Sequence, residues 1–523
     1  MSNFINLTKV FFLTGFGVNK KKNKQTPILK QIGLMAILFS VVSIGYNAMM
    51  FLLPETAMAT DYRDILIFMV TISSFLVFIT TFNQIQSVLF NSTDYEFIQS
   101  LPVTNATVIA AKIMALLLIC IGEDIIIFLP TTVFYLIFAH DVFGTIISFV
   151  TIFFISFVPL LISSIVGTLI ALATKRVKNK NIFQTIVYLM YFGVVFFISF
   201  SMNGSNIIDK KAVSNVLPHI LLYKEALFSY NIVPYLIFIA VNIAAFAFVV
   251  GFISLLYKPV NAAKQNVGDG KYKLEKSTGE SVNKVLFKKE LKMVTGKANV
   301  FINAIMGCIM YPVTFILTML INVPEGEQTK YLSVIVYFIP FLGLIMSSIM
   351  SPTSSSISLE GKNFEMLLSY PLTPKEIIKA KIKAGLLIPA CLYIASSSII
   401  VVIMMIKGMP DTFTWPLIAS VYLAPQLGLL FTTLVGSLCN LNWPKTEYEN
   451  EMQVIKNSKS VVMSMLFCFF PSFVVGGIVT GTCFVSPIIS LIVLVVVYGA
   501  GAGIVYGLIN KHGDRLFKDI TNK

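Results

Sequence analysis

The sequence predicts an all-α polytopic integral membrane protein, with about 12 transmembrane helices built as two parallel six-helix repeats. Three observations lead to this prediction. The mean hydropathy is +0.83 and only 12% of the 523 residues are charged, whereas soluble domains carry about 25% charged residues. Apolar runs of about 20 residues, long enough to cross a bilayer as a helix, recur along the chain. A segment of the first half also returns in the second half.

The apolar runs are too long and too uniform for the alternating strands of a membrane barrel, so helices are expected to satisfy the backbone in lipid. In the third run, Glu123 and Asp124 interrupt the apolar pattern, and a helix break near Gly122 is one of the alternatives that this leaves open. The twelve spans are placed near 31–53, 65–88, 107–136, 143–173, 182–202, 232–257, 299–321, 331–350, 384–406, 416–438, 461–483 and 486–510.

Basic residues define the expected orientation. With the N-terminus inside, the segments on the cytoplasmic side hold 33 of the 39 Lys and Arg residues. This distribution follows the positive-inside rule, and it predicts a multi-pass protein of the bacterial plasma membrane with both termini cytoplasmic. It also accounts for the net charge of +14 without a nucleic-acid partner.

The domain organisation follows from one polar stretch in the middle of the chain. We expect a first six-helix half at 1–257, a cytoplasmic linker at 258–284 and a second half at 285–523. Amphipathic segments at 4–16 and 285–294 precede the first span of each half. They are expected to lie along the inner membrane surface, with their basic residues near anionic lipid headgroups.

A gapless internal repeat is the most informative feature of the sequence. Residues 94–115 and 363–384, offset by 269 positions, are identical at nine of 22 positions. Each copy lies between the second and third spans of its half, and an even number of spans separates them, so the halves are expected to be parallel repeats. The identical pairs include Glu96/Glu365, Ser100/Ser369, Pro102/Pro371, Thr104/Thr373 and Lys112/Lys381.

Each copy predicts a short helix, a sharp corner and a long helix that re-enters the membrane. Asp94 or Asn363 is expected to cap the short helix, which ends before the proline that follows. A threonine then caps the long helix, and in the second copy Thr373 and Glu376 form a capping box.

The short helices are expected to expose an apolar stripe to the cytoplasm. Two interpretations remain open, a rigid connector between spans or a docking surface for a cytoplasmic partner. The return of the same sequence in both halves and the cost of exposing apolar side chains favour docking. The stripe consists of Tyr95, Ile98 and Leu101 in the first copy and of Phe364, Leu367 and Leu368 in the second.

Residues 358–365 (SLEGKNFE), 369–371 (SYP) and 441–444 (LNWP), with the C-terminal Tyr506-Gly507, resemble the fused ABC-2 type permeases of low-GC Gram-positive bacteria. The resemblance implies an interfacial elbow helix before each half, and coupling helices at 94–101 and 363–370 that sit in grooves of two cytoplasmic ABC ATPase subunits. The ATPase-coupling residues would then be Asp94, Tyr95, Glu96, Ile98, Ser100, Pro102, Asn363, Phe364, Glu365, Leu367, Ser369 and Pro371.

The implied function is the permease of an ATP-driven exporter, which moves an amphipathic or hydrophobic substrate such as a lipid, peptide or drug. The chain is expected to be no enzyme and to hold no cofactor, with ATP and Mg²⁺ on the partner subunit. It has no G-x-x-x-x-G-K-[ST] phosphate loop, because the nearest stretch, 268–271, lacks that spacing. No catalytic set and no metal-ligand spacing is recognised in the sequence.

Glu123 and Asp124 remain a possible intramembrane polar site. Ionisable residues in a span are costly and are functional candidates by default. Contact with the transported substrate, burial against polar groups of neighbouring helices and a helix break are all open. The alternative function is a 6+6 secondary transporter driven by an ion gradient, although the glycine–aspartate–arginine-rich loop typical of major facilitators is absent.

Overall fold

The computed structural model describes residues 2–15, 59–90, 95–173, 218–265, 281–319, 328–349, 351–407, 413–448, 451–456 and 458–520, with the isolated positions 183, 190 and 279. The chain forms two compact units, Met1–Tyr272 and Lys273–Lys523, divided within the predicted linker. All regular structure in these described ranges is helical. The predicted spans 31–53 and 182–202 lie outside the described residues, apart from 183 and 190.

Unit 1 contains both very long and very short helices. Its helices, numbered over the described residues, are α1 (Ser2–Gly15), α2 (Ala59–Phe90), α3 (Tyr95–Gln99), α4 (Asn105–Ala139), α5 (Val142–Thr151), α6 (Phe157–Ala173), α7 (Pro218–Ser229) and α8 (Ile232–Gln265). Helix α4 packs against α1, α2 and α8, and α2 packs against α6.

Unit 2 begins with an amphipathic helix, followed by two long helices, a short helix and another long helix. Its helices are α9 (Val282–Thr295), α10 (Ala298–Met319), α11 (Gln328–Ser348), α12 (Phe364–Leu368), α13 (Pro374–Lys407), α14 (Trp415–Asn442), α15 (Glu451–Ile455), α16 (Lys459–Val485) and α17 (Pro487–Asp519). Short 3₁₀ helices at Pro352–Ser354 and Ser358–Asn363 precede α12.

Eight segments within the described residues are long and apolar enough to cross a membrane. Two lie in unit 1 and six in unit 2, and each overlaps one of the predicted spans. They are Asn105–Ala139, Ile232–Asn261, Ala298–Ile316, Ile335–Gly361, Pro374–Ile406, Trp415–Asn442, Gln453–Val485 and Pro487–Asp519.

The predicted fourth span, 143–173, is not one helix. Helix α5 ends at Thr151, residues 152–156 form turns, and α6 begins at Phe157. Pro159 lies in the first turn of α6, where a proline is tolerated because its missing N–H has no helical partner to lose. The apolar run therefore contains two helices of 10 and 17 residues, each shorter than the ~20 residues that cross a bilayer.

The structure excludes one open alternative, a helix break near Gly122. Helix α4 runs without interruption from Asn105 to Ala139 and includes Glu123 and Asp124. The carboxylate of Asp124 finds partners on other elements, as described below, so it does not compete for the backbone of its own helix.

At the end of α4 that is remote from the repeat, a buried ion pair joins α2 to the turn before α5. Arg63 Nη2 lies 2.8 Å from Asp141 Oδ2, and the two side chains are 6% and 7% exposed. Tyr135 donates a hydrogen bond to Asp141 Oδ2 (2.7 Å) and the N–H of Gly144 donates to Oδ1 (3.0 Å). Burial alone raises the pKa of Asp141, but the hydrogen bonds from Gly144, Tyr135 and Arg63 outweigh it and lower that pKa below its usual value.

Asp141→Asn is expected to destabilise the chain at neutral pH by about 3–5 kcal/mol, because it leaves Arg63 buried without its counter-charge. The folded-state pKa of Asp141 is depressed, so the ion pair is fully stabilising above the unfolded-state pKa of about 3.9 and loses its contribution as the pH falls through the folded-state value. The difference between the unfolding midpoints of wild type and variant, measured in detergent from pH 3 to pH 7, should therefore be smaller at pH 3 than at pH 7. A constant difference over that range would contradict the assignment.

Unit 2 is organised around α14, which packs against α11, α13, α16 and α17. Glycines let pairs of helices in unit 2 approach closely, as small residues do in membrane helix pairs. A Cβ at Gly428 of α14 would lie 2.1 Å from Ser347 Oγ of α11, and one at Gly307 of α10 would lie 2.3 Å from the carbonyl oxygen of Met346. Any larger residue at these two positions would push the helices apart.

Candidate functional site: the two repeat corners

The two copies of the sequence repeat fold in the same way. We call residues 95–104 the first corner and residues 364–373 the second corner; they correspond at the offset of 269. In each corner a five-residue helix, α3 or α12, is followed by a turn and then by a long helix, α4 or α13. This is the arrangement that the proline and threonine positions predict.

The backbone of the corners is held by equivalent hydrogen bonds. Three bonds of the first corner have a counterpart 269 residues later, with a length that differs by at most 0.1 Å, so the sequence repeat is also a structural repeat. The bonds are Ser100 Oγ to Phe97 O and Ser369 Oγ to Met366 O (both 2.7 Å), Ser100 N to Phe97 O and Ser369 N to Met366 O (3.1 and 3.2 Å), and Val103 N to Leu101 O and Leu372 N to Tyr370 O (2.8 and 2.7 Å).

The helix caps agree with the sequence at the long helices but not at α12. Thr104 Oγ1 accepts a hydrogen bond from Thr107 N. Thr373 N donates to Glu376 Oε2 (2.9 Å) and Glu376 N donates to Thr373 Oγ1 (3.4 Å), which confirms the capping box. Asn363 makes no side-chain cap, because the 3₁₀ helix before it runs directly into α12. Asp94 lies outside the described residues.

The expectation that the apolar stripe is exposed is wrong for most of its members. Ile98, Phe364 and Leu367 are 4%, 4% and 3% exposed, and Tyr95 is half-buried. Their partners are helices of the same unit: the ring of Tyr95 packs 5.6 Å from that of Tyr257, and Phe364 packs 5.3 Å from Phe517. Leu101 is half-buried and Leu368 is exposed. The stripe therefore fixes each corner onto its own unit.

A different residue pair carries the exposed apolar surface. Phe97 is 69% exposed and Met366 is 57% exposed, and they are equivalent positions of the repeat. Each follows an exposed carboxylate, Glu96 or Glu365. This pair is not among the predicted coupling residues, although a bulky apolar residue recurs there at the offset of 269. The predicted coupling residues Ser100, Pro102, Asn363, Ser369 and Pro371 are also exposed.

The approach to the second corner is anchored by one buried amide. Asn440 of α14 is fully buried, and its Oδ1 accepts hydrogen bonds from the N–H groups of Ile357 (2.7 Å) and Ser358 (3.3 Å). Its Nδ2 donates to Ser358 Oγ (2.7 Å) and to Ser460 Oγ (3.1 Å). This side chain thus ties the segment before the corner to α14 and α16.

A glycine in a left-handed conformation sets the last bend before α12. Gly361 has φ +56° and ψ −129°, a region that residues with a side chain rarely adopt. A Cβ there would lie 3.2 Å from the ring of Tyr448, whose hydroxyl donates a hydrogen bond to the carbonyl of Leu359 (3.1 Å). Backbone conformation and close packing therefore both require glycine at this position.

Beside the second corner, four charged side chains form a cluster. Lys381 Nζ of α13 lies 2.8 Å from Glu290 Oε2 of α9 and 2.7 Å from Glu360 Oε1 of the 3₁₀ helix. These three side chains are at most 5% exposed. Lys289 Nζ, which is partly exposed, adds a second contact to Glu360 (2.7 Å) and one to Glu290 (3.3 Å). Two cations thus balance two carboxylates.

The pKa of Lys289 reflects this balance. Burial alone lowers it, but the neighbouring carboxylates of Glu290 and Glu360 outweigh burial and raise it above its ordinary value. Lys289 therefore stays charged at neutral pH and continues to balance the carboxylates of the cluster.

In unit 1, the lysine that the two copies of the sequence repeat share is Lys112 of α4. It also contacts the amphipathic helix of its own unit. Lys112 is 1% exposed, donates a hydrogen bond to the carbonyl of Val88 (3.0 Å) and lies 5.3 Å from the centre of the Phe11 ring in α1. Its counterpart Lys381 meets α9 through Glu290. In both units, then, one buried lysine joins the re-entering helix to the amphipathic helix.

The two residues of the predicted intramembrane polar site, Glu123 and Asp124, lie in different environments. Asp124 is fully buried and accepts hydrogen bonds from Ser73 and Ser156, whereas Glu123 is half-buried. In the described part of the chain, no group of three or more His, Cys, Asp or Glu side chains is placed to hold a metal ion.

Comparison with known proteins places the chain in a family of membrane proteins. A family model described as a membrane protein of 12 TMs matches residues 26–506. No ABC-2 family model matches the chain, and no curated protein matches it.

Proposed function

The chain belongs to a family of membrane proteins with 12 transmembrane segments, and from this premise we propose that it is the permease subunit of an ATP-driven ABC exporter. Two copies of a separate cytoplasmic ATPase bind at the two corners and hydrolyse ATP. The chain itself is not an enzyme. Both termini face the cytoplasm of a bacterial cell, and the exported substrate is amphipathic or hydrophobic, a lipid, peptide or drug.

The observation that carries the proposal is the equivalence of the two corners. They share backbone hydrogen bonds at one offset, and both expose a large apolar residue at the same position, Phe97 or Met366. A connector needs only length and turn chemistry, whereas exposed apolar side chains repeated in this way are typical of a binding surface. Two equivalent surfaces on one chain suit two copies of one partner.

The corner surface also specifies the chemistry of its partner. An exposed carboxylate, Glu96 or Glu365, precedes the apolar residue in each corner. A complementary groove on the ATPase therefore has an apolar floor for Phe97 or Met366 and a basic side chain at its rim. Charge complementarity of this kind fixes the register of docking more than it adds affinity.

Contacts within each unit connect the corner to the helices that would move with it. Lys381 holds α13, the 3₁₀ helix before the second corner and α9 together, and Lys112 joins α4 to α1. When ATP binding draws the two ATPases together, each corner would carry its amphipathic helix and its re-entering helix with it. The transport pathway would then alternate in access.

One observation favours the second candidate function, an ion-coupled secondary transporter. Asp124 is a buried carboxyl inside a span, the kind of residue that proton relays in transporters use. This candidate needs no ATPase, and the corners would then serve as connectors.

We test the proposal with Phe97→Glu, Met366→Glu and the double variant, each co-expressed with the ABC ATPase that co-purifies with the wild-type chain. Each single variant is expected to weaken co-purification of the ATPase and to lower ATP hydrolysis by the complex at least tenfold, and the double variant to abolish both. A buried charge opposite an apolar groove is expensive. Asn510→Glu, at an exposed position of α17 outside both corners, is the control.

Unchanged binding and hydrolysis in the double variant would refute docking at the corners. Thermal unfolding of each purified variant separates loss of docking from loss of folding, because Phe97 and Met366 make little contact within their own units.

A further inference from the structure

Asp124 lies where three elements of unit 1 meet. It is on α4, its Oδ1 accepts a hydrogen bond from Ser73 of α2, and its Oδ2 accepts one from Ser156, the last residue of the turns between α5 and α6. The residue is 0% exposed. Both oxygens of the carboxyl group are therefore used, and both partners are hydroxyl groups.

The surroundings of Asp124 are unfavourable to an ionised carboxylate. Among the described side chains, no basic group pairs with Asp124 in an ion pair, and Glu123 and Cys120 are the titratable groups beside it on α4. Helix α8, which also packs on α4, has no charged residue between Ile232 and Tyr257. A carboxylate without a counter-ion in a dry site costs many kcal/mol, and such a group takes up a proton instead.

The two serines suit both protonation states. Two hydroxyl groups that donate satisfy an ionised carboxylate. When the carboxyl holds a proton, it donates to one serine oxygen, and that serine turns its hydrogen toward a backbone carbonyl one turn earlier. The site can therefore gain or lose a proton without moving a helix.

The break in the fourth predicted span places Ser156 at the site. Residues 152–156 form turns between α5 and α6, and non-helical backbone at membrane depth is typical of transporter binding sites. Unit 2 has no such group at the equivalent position: Tyr393, 269 residues after Asp124, is buried against Tyr311. The repeat fold thus does not require a carboxyl there.

We propose that Asp124, with Ser73 and Ser156, is a proton-binding site of unit 1, neutral in this conformation and able to release its proton when water reaches the turns between α5 and α6. The ligand is the proton itself. The site stands independently of the proposed ATPase partner.

Infrared spectroscopy of the purified, lipid-reconstituted full chain tests this directly. The wild type is expected to show, at pH 7, a C=O stretch of a protonated carboxyl that shifts in D₂O. Asp124→Asn removes this band, and the matched control Glu123→Gln leaves it. Ser156→Ala keeps the band and moves it to higher frequency, because one hydrogen bond is lost.

Three results would overturn the proposal: a band that persists in Asp124→Asn, a band that disappears in Glu123→Gln, or no such band in the wild type. If Asp124→Asn does not fold, Ser156→Ala decides, and an unshifted band in that variant would exclude Asp124. No ATPase is present in the experiment, so its outcome is separate from that of the corner variants.

Discussion

Lys381→Met is expected to lower the free energy of unfolding of the full chain by about 3–5 kcal/mol, the typical cost of removing one partner from a buried ion pair. The substitution keeps most of the side-chain volume but leaves Glu290 and Glu360 with only the partly exposed Lys289. One carboxylate is then buried without a counter-charge. Unfolding in mixed detergent micelles measures the loss.

Two further variants show whether charge is the cause. Lys383→Met, at an exposed position two residues along the same helix, should change stability by less than about 1 kcal/mol. Glu290→Gln combined with Lys381→Met restores neutrality, with Lys289 pairing Glu360, and should recover much of the loss. If the double variant is as unstable as the sum of the two single variants, the charge balance proposed for the cluster is wrong.

Asn440→Leu is the second large expected effect, a loss of about 2–6 kcal/mol. Leucine has a similar volume, but it leaves the N–H groups of Ile357 and Ser358 buried without an acceptor, and each such group costs about 1–3 kcal/mol. Because these groups precede the second corner, partner binding should weaken along with stability. Thermal unfolding and ATPase co-purification measure the two effects.

Asn442→Leu is the matched control on the same helix. That residue is half-buried, and its Nδ2 donates to the carbonyl of Leu438 in its own helix (2.8 Å). Its substitution should cost less than about 1 kcal/mol. Equal losses in Asn440→Leu and Asn442→Leu would mean that the anchoring of residues 357 and 358 is not what makes Asn440 important.

Local chemistry allowed much of the corners to be predicted. Pro102 and Pro371 end a helix whatever surrounds them, and Thr373 with Glu376 satisfies the first turn of α13 from within the segment. The repeat at one offset located both corners, because the backbone hydrogen bonds that shape them lie within a few residues. The same reasoning failed at Asn363, where the preceding 3₁₀ helix already supplies the helical turn.

Burial and pairing depended on residues far apart in sequence. Whether Ile98 or Phe97 faces water is decided by the helices on which α3 packs, and a five-residue helix has no periodicity that shows it. The partners of Lys381 lie 91 and 21 positions away, and Asn440 lies 83 positions from Ile357. No local pattern connects such pairs.

The sequence contains a signal for the break between α5 and α6, but the uniform hydropathy of the run obscures it. Residues 143–173 are apolar throughout, and only Pro159 marks the start of a new helix. Its consequence, the placement of Ser156 against Asp124, depends on where α4 passes. A buried carboxyl in a span was therefore predictable from sequence, but its two hydroxyl partners were not.

Site-specific photocrosslinking shows whether the two corners are equivalent docking surfaces for the proposed ATPase. A photoreactive amino acid replaces Phe97, Met366 or, as a control, Asn510, and each chain is co-expressed with the ABC ATPase and irradiated. We expect ATPase adducts from positions 97 and 366 in similar yield, mapped to the same ATPase segment, and none from position 510. A stable complex that gives no adduct from either corner would contradict this expectation.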